Sequence, residues 1–222
     1  MPDGLPLRLA HRGDWRRAPE NTLPALRAAL GIPGCDGVEF DVRAAADGTP
    51  VLLHDATLLR VQHRATRVDR VLPEELARDG IPTLAEVLAA LPASAFLDVE
   101  LKGDPGPAVV EVLEAGRGAD LANAVVSSFE PETLERVRAE RPGWPCWLNA
   151  RDLAASTVAT AVGLGCRGIS ARWPAIDARA MARAFEAGLE VAAWTVRDTA
   201  TLERVAALGV VAVCVEGAAL DG

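Results

Sequence analysis

The chain has 222 residues and no Cys-x-x-Cys pair, since Cys35, Cys146, Cys166 and Cys214 stand far apart. That scatter excludes a zinc ribbon and a dithiol redox motif, and it predicts buried, reduced thiols of the kind cytoplasmic proteins carry. No Gly-x-Gly-x-x-Gly follows a predicted strand, so a doubly wound dinucleotide-binding sheet is not supported. Met1-Pro2-Asp3-Gly4 lacks a basic stretch leading into a long apolar one, which predicts no secretory leader and a cytoplasmic location. Nowhere is an apolar run long enough to span a bilayer, and stable membrane insertion is not expected. An excess of positive charge is missing as well. The formal net charge of −8 argues against nucleic acid as a partner, yet it leaves room for a local cationic pocket and a small anionic substrate.

What is present is ordinary globular material, 50% hydrophobic and 24% charged, enough for one sizeable core. Short β-rich runs alternate with Ala/Leu/Glu/Arg stretches of helical period, the pattern of parallel strands joined by crossover helices. Strands are predicted near 7–10, 38–42, 95–101, 124–129, 145–149, 167–170, 190–196 and 210–215. Helices are predicted near 22–30, 83–91, 107–115, 131–140, 151–162, 177–187 and 199–207, with the closing helix missing or vestigial. Such a count predicts an α/β chain folded as a single (β/α)8 barrel over residues 1–222.

Several boundaries have local causes. Asn21 or Thr22 suits a helix cap, Thr83 with Glu86 forms a capping-box pattern, and Pro131 fits a first helical position. Asp47-Gly48 between apolar runs signals a hairpin, which brings Asp41 and His54 roughly opposite each other. The polar, Arg-rich stretch 55–80 reads as a long irregular excursion over the barrel mouth.

The chemistry gathers at strand ends. Residues two apart on a strand share a face, so Glu39 and Asp41 point together, as do Asp98, Glu100 and Lys102. Their neighbours Val38, Phe40, Val42, Leu97, Val99 and Leu101 then face the helices. Barrel geometry puts the polar set inside, at the C-terminal mouth where barrel active sites lie. Clustered carboxylates resist burial unless something positive sits among them: a salt-bridge network with Arg12 and Lys102, or a hard divalent cation, Mg²⁺ or Ca²⁺. The cation is favoured, because such sites need clustered acids with open positions for water and phosphate. His11 and His54 bracket the acids and suit acid–base work.

The runs Leu9-Ala10-His11-Arg12-Gly13, Pro19-Glu20-Asn21-Thr22, Val38-Glu39-Phe40-Asp41-Val42 and Val51-Leu52-Leu53-His54-Asp55 come in an ordered series. Ile81-Pro82-Thr83-Leu84, Glu100-Leu101-Lys102, Val126-Ser127-Ser128-Phe129 and Trp194-Thr195-Val196 continue it. Together they resemble the glycerophosphodiester phosphodiesterase family over nearly the whole chain. The resemblance implies a TIM-type barrel that hydrolyses glycerophosphodiesters to glycerol 3-phosphate and an alcohol with a divalent cation. It further implies that Glu39, Asp41 and Glu100 hold the cation, that His11 and His54 act as base and acid, and that Arg12 and Lys102 hold the phosphate. Ser128 and Trp194 are candidate substrate walls.

Departures fall on the substrate side. The family's Leu-x-Arg-Thr-Thr pattern reads Leu58-Leu59-Arg60-Val61-Gln62-His63 here, Val215-Glu216 stands for Thr-Asp, and Arg197 follows the Trp194 strand where asparagine is common. They bear on the choice of alcohol, not on the metal core. A phospholipase D-like action on lysophospholipid and a silent phosphometabolite-binding barrel are the alternative expectations.

Overall fold

A computed structural model describes residues 5–222; the leader reading of Met1 to Gly4 lies outside the described residues. The chain runs β1 (Leu7–His11), α1 (Leu23–Leu30), β2 (Gly37–Ala44) and the short β3 (Pro50–Leu52). Then come α2 (Leu59–Gln62), a 3₁₀ turn (Val68–Arg70), α3 (Pro73–Arg78), α4 (Leu84–Ala90) and β4 (Phe96–Leu101). The rest alternates regularly: α5 (Ala108–Arg117), β5 (Ala124–Ser128), α6 (Pro131–Glu140), β6 (Cys146–Ala150), α7 (Ala155–Gly163) and β7 (Gly168–Arg172). A 3₁₀ turn (Trp173–Ala175), α8 (Ala178–Glu186), β8 (Glu190–Val196), α9 (Thr199–Ala207), β9 (Ala212–Val215) and α10 (Ala218–Asp221) complete it.

Eight parallel strands close the ring in the order β1, β2, β4, β5, β6, β7, β8, β9, with β9 returning to β1 and β3 antiparallel to β2 outside it. The expected TIM-type barrel is the observed fold. Its strands are covered on both faces, and each face has its own residues. Val38, Phe40, Val42, Leu97, Val99 and Leu101 pack outward against the helices. Inside, Leu9, Val125, Trp147, Ala192, Ala212 and Cys214 fill a separate apolar layer that plugs the barrel below the polar groups. Gly37 lets β2 and β4 approach, since a Cβ there would lie 2.0 Å from the Phe96 carbonyl oxygen.

Local signals set the helix starts. Thr22 caps α1 by accepting from the Ala25 amide, the Thr83/Glu86 capping box opens α4, and Asp177 and Asp198 cap α8 and α9. The closing helix is vestigial, as expected: α10 has four residues. Arg16 holds it from the β1–α1 loop, reaching Asp221 at 2.7 Å while also bonding buried Asp14 at 2.7 Å.

Two expectations change. Leu53, not His54, stands across from Asp41, its amide donating to the Asp41 carbonyl at 3.0 Å, and His54 follows it. The stretch 55–80 is also more ordered than its polarity suggests. Leu58, Val68, Val71 and Leu76 join Ala45, Val51, Leu53 and Ile81 in a second apolar cluster distinct from the barrel core. The apolar residues are spaced too widely to show a period, because they come from the position before α2, from the start of the 3₁₀ turn and the position after it, and from α3. No helix among the described residues is long and apolar enough to cross a membrane. All four cysteines are free, three of them buried.

Candidate active site

At the C-terminal mouth the strands surround a cavity of about 470 Å³ lined on one side by His11, Arg12, Glu39, His54, Glu100 and Lys102. β1 supplies His11 and its following loop Arg12; β2 supplies Glu39 and Asp41; β4 supplies Asp98 and Glu100, with Lys102 just beyond. Register aligns them, Glu39 beside Asp98 and Asp41 beside Glu100, because β2 and β4 pair in parallel. Arg12 has a positive φ of 60°, and Gly13 after it has φ +82° with the Ala25 backbone 2.6 Å from where a Cβ would sit. The tight turn aims the Arg12 side chain back over the mouth.

Asp41 is the fully enclosed centre of the cluster. Asn21 donates to it at 2.8 Å, the Arg12 Nε lies at 3.1 Å, and the Lys102 Nζ at 3.1 Å. Burial opposes its ionisation, but the charges of Lys102 and Arg12 outweigh that and hold it down to about 2. Lys102 also bonds Glu100. Glu39, Asp98 and Glu100 go the other way. Burial, then repulsion from Asp41 and Glu100, raises Glu39 well above the usual carboxylate range. Burial pushes Glu100 up to about 7, with Asp41 adding to it, and takes Asp98 to about 7.

Donor oxygens of Glu39, Asp41 and Glu100 lie within 4.8 Å of one another, the spacing a single ion needs. Glu39 Oε1 is buried without a hydrogen-bond partner, an expense that a ligand atom would explain. Four buried carboxyls, Glu39, Asp41, Asp98 and Glu100, face two cations, Arg12 and Lys102. Fully ionised, the cluster lacks two positive charges, which is what a dication supplies. The residues fit a hard divalent ion, and Arg12 and Lys102 form ion pairs with the same acids.

The two histidines are built alike. His11 Nδ1 bonds Glu216 at the end of β9, which Arg197 braces at 2.8 Å, and its Nε2 lies 3.7 Å from Glu39 Oε2. His54 Nδ1 bonds Asp55 at 2.7 Å. In both, a carboxylate fixes the ring and leaves Nε2 for the cavity. Burial, aided by the charges of Arg12 and Lys102, holds His54 below the ordinary imidazole value against the pull of Asp41. Arg60 of α2 bonds Asp55 at 2.5 Å and grips Glu20 with both terminal nitrogens, and Glu20 in turn bonds Arg12 at 3.0 Å.

Of the proposed walls, Trp194 lines the cavity and Ser128 does not. The Ser128 hydroxyl is held by the Leu101 carbonyl at 2.8 Å and by Glu130, while Phe129 takes the wall position, edge-on to Trp194 at 5.5 Å. His63 is exposed at the end of α2. Sequence reasoning named Glu20, Asn21, Asp55 and Arg60 only as pieces of motifs. The bonds that tie Arg60 to Glu20 and Asn21 to Asp41 join separate segments of the chain, an arrangement that strand periodicity does not reveal.

A model of the glycerophosphoryl diester phosphodiesterase family matches residues 11–218. A Mus musculus protein named glycerophosphodiester phosphodiesterase 1 is 32% identical over 148 residues, covering 59% of this chain and 44% of that protein. The chain thus spans less than half the length of that relative. A solved Oleispira antarctica phosphodiesterase, in complex with the product sn-glycerol-3-phosphate, is 28% identical with TM-score 0.84, covering 95% of this chain and 93% of its own. An Agrobacterium tumefaciens glycerophosphodiester phosphodiesterase, 23% identical, shares the fold at TM-score 0.83 over 98% of this chain and 99% of its own.

Proposed function

We infer the activity from a settled premise: the chain belongs to the glycerophosphoryl diester phosphodiesterase family. The reading that follows is a cation-dependent hydrolysis of glycerophosphodiesters to glycerol 3-phosphate and an alcohol. The observation that carries it is the pair of carboxylate-anchored imidazoles, His11 with Glu216 and His54 with Asp55, opening on one cavity beside the Glu39, Asp41 and Glu100 cluster.

Glu39, Asp41 and Glu100 would hold Mg²⁺ or Ca²⁺, which when bound supplies Lewis-acid neutralisation of phosphoryl oxygens. The protein does the rest. Arg12 and Lys102 attract and orient the anionic phosphodiester, and Phe129 and Trp194 wall it in. One imidazole Nε2 takes the proton of a nucleophilic hydroxyl as its oxygen bonds to phosphorus: water gives glycerol 3-phosphate directly, whereas the glycerol hydroxyl gives a cyclic phosphate that water opens to glycerol 3-phosphate in a second displacement. The other donates a proton to the oxygen of the departing alcohol as its bond to phosphorus breaks, so charge never builds on a free alkoxide. The Nδ1 carboxylates favour the imidazolium form that each ring passes through.

Turnover of a panel of glycerophosphodiesters, with and without a chelator and with glycerol 3-phosphate measured among the products, tests the reading. Hydrolysis lost on chelation and recovered with one cation supports it. Hydrolysis that survives chelation and dialysis overturns the cation's role, and no release of glycerol 3-phosphate from any member overturns the activity.

A further inference from the structure

Between the walls formed by Phe129 and Trp194, the β6–β7 sector of the cavity takes no part in the chemistry above, and it is polar. In ring order β6 lies opposite β1 and β7 opposite β2, so Asn149 of β6 and Ser170 of β7 look across the mouth at His11 and Glu39.

Asn149 is buried, and its Oδ1 has no hydrogen-bond partner. Its orientation follows from the donors below it. The single Ser127 hydroxyl proton goes to Asp98 at 2.6 Å, so the Ser127 oxygen has only lone pairs to offer the Asn149 amide, whose Nδ2 lies 3.3 Å away. The amide nitrogen is thereby turned down into the barrel, and the carbonyl oxygen is left as an unfilled acceptor beside the cavity. A buried acceptor without a donor is costly unless a ligand supplies one.

Directly above stand two arginines. Arg151 follows Asn149 by two residues and lines the same cavity. Arg172 follows Ser170 by two and ends β7 in register with Trp194, whose ring lines the cavity, so it shares that face. β6 and β7 are adjacent with Ala150 beside Ala171, which sets Arg151 and Arg172 side by side. Both are exposed, and neither forms an ion pair among the described residues, whereas Arg197 just after β8 is bound to Glu216. Two neighbouring cations without a counter-ion, in a chain of net charge −8, raise the local potential at one sector of the rim.

We propose that the β6–β7 sector is a subsite for an alcohol moiety bearing hydroxyls and a negative charge beyond the phosphodiester itself. Asn149 Oδ1 accepts a hydroxyl proton, and Arg151 with Arg172 binds the additional anionic group. The assignment rests on the phosphodiester reading above and narrows its substrate class to polyanionic, hydroxylated glycerophosphodiesters over those with a cationic or purely apolar alcohol.

Three probes test it with the metal-loaded full chain: glycerophosphoinositol monophosphate, glycerophosphoinositol and glycerophosphocholine. The expected order of kcat/KM is the order given, the first step reporting the arginines and the second the hydroxyl acceptor together with the arginines' repulsion of the choline cation. In the double variant Arg151→Gln/Arg172→Gln the ratio of the first probe to the second should fall about fivefold, the scale of two exposed charge contacts, and wild-type discrimination should shrink likewise in 1 M salt. Arg151→Glu/Arg172→Glu should invert the preference. Equal use of the three probes by the wild-type protein, or an unchanged ratio in the double variant, overturns the subsite while leaving the activity standing. Turnover of none of them, nor of any other glycerophosphodiester, is failure of the underlying activity and overturns the subsite with it.

Discussion

Arg60 grips Glu20 through two hydrogen bonds of 2.9 and 2.7 Å. The same guanidinium bonds Asp55, so one side chain on the excursion steadies both the acid that orients His54 and the acid that orients Arg12. Replacing Arg60 by Gln is expected to loosen both. If His54 protonates the leaving alcohol, kcat on an ordinary glycerophosphodiester should drop about 10- to 100-fold, with a much smaller drop for a p-nitrophenyl ester whose leaving group needs no proton. Equal losses on both substrates would rule out this route.

Glu216 holds His11 as Asp55 holds His54. Burial disfavours its charge, yet the His11 hydrogen bond keeps its carboxyl below the usual range. Glu216→Gln should lower kcat about 10- to 100-fold with little change in KM, because the ring loses its anchor while the phosphate contacts stay. Glu216→Asp, which keeps the charge, should recover part of the loss. A kinetic profile identical to wild type for Glu216→Gln would leave Glu216 without a part in the reaction.

The raised carboxyls make the metal-free fold pH-sensitive. Glu100 sits at about 7 and Glu39 above its ordinary 4.5, burial being the first cause of both. An acid raised on folding stabilises the protein below its unfolded value, and that contribution is lost as pH climbs through the folded value. For Glu100 the window runs from 4.5 to about 7. Ion binding needs these groups ionised, so it releases protons and restores what ionisation took away. The rise in Tm on adding Mg²⁺ or Ca²⁺ should therefore be larger at about pH 8 than at about pH 5. A gain of the same size at both would argue that the ion binds elsewhere.

Lys102 contacts Asp41 and Glu100 with its charge nearly enclosed. Lys102→Met removes one cation from an already acid-rich cluster and should destabilise the metal-free protein by about 3 kcal/mol, the scale of a broken buried pair. Saturating cation should shrink that deficit, since the ion meets the same oxygens. Denaturant melts with and without cation measure both quantities, and a deficit unaffected by cation would place Lys102 outside the site.

The barrel was legible because its signals are local: strand runs, helix periods, caps at Thr22 and Thr83, and Pro131 at a first helical position all come from neighbouring residues. The inward acids were legible through two-residue alternation on β2 and β4. What was hidden depends on residues far apart in the chain. The bond between His11 and Glu216 spans 205 positions, and that between Arg60 and Glu20 spans 40, so no periodicity reports either. The assignment of Ser128 to a wall shows the same limit. Strand alternation puts Ser127 and Phe129 inward and turns Ser128 away, but the strand's exact register on its neighbours decides which of them reaches the cavity. The excursion hid its order because its four apolar residues are scattered singly among short turns and their flanks.

The second apolar cluster, gathered from the excursion and the hairpin beneath it, owes nothing to the barrel's main core. The excursion is accordingly a cassette: its exposed sequence is free to drift, or to be exchanged wholesale, so long as Leu58, Val68, Val71 and Leu76 still seat and Arg60 still lands on its two acids. Selectivity for new alcohols is then open to change without reopening the metal centre, and a graft of this segment from a relative is a natural place to begin engineering it.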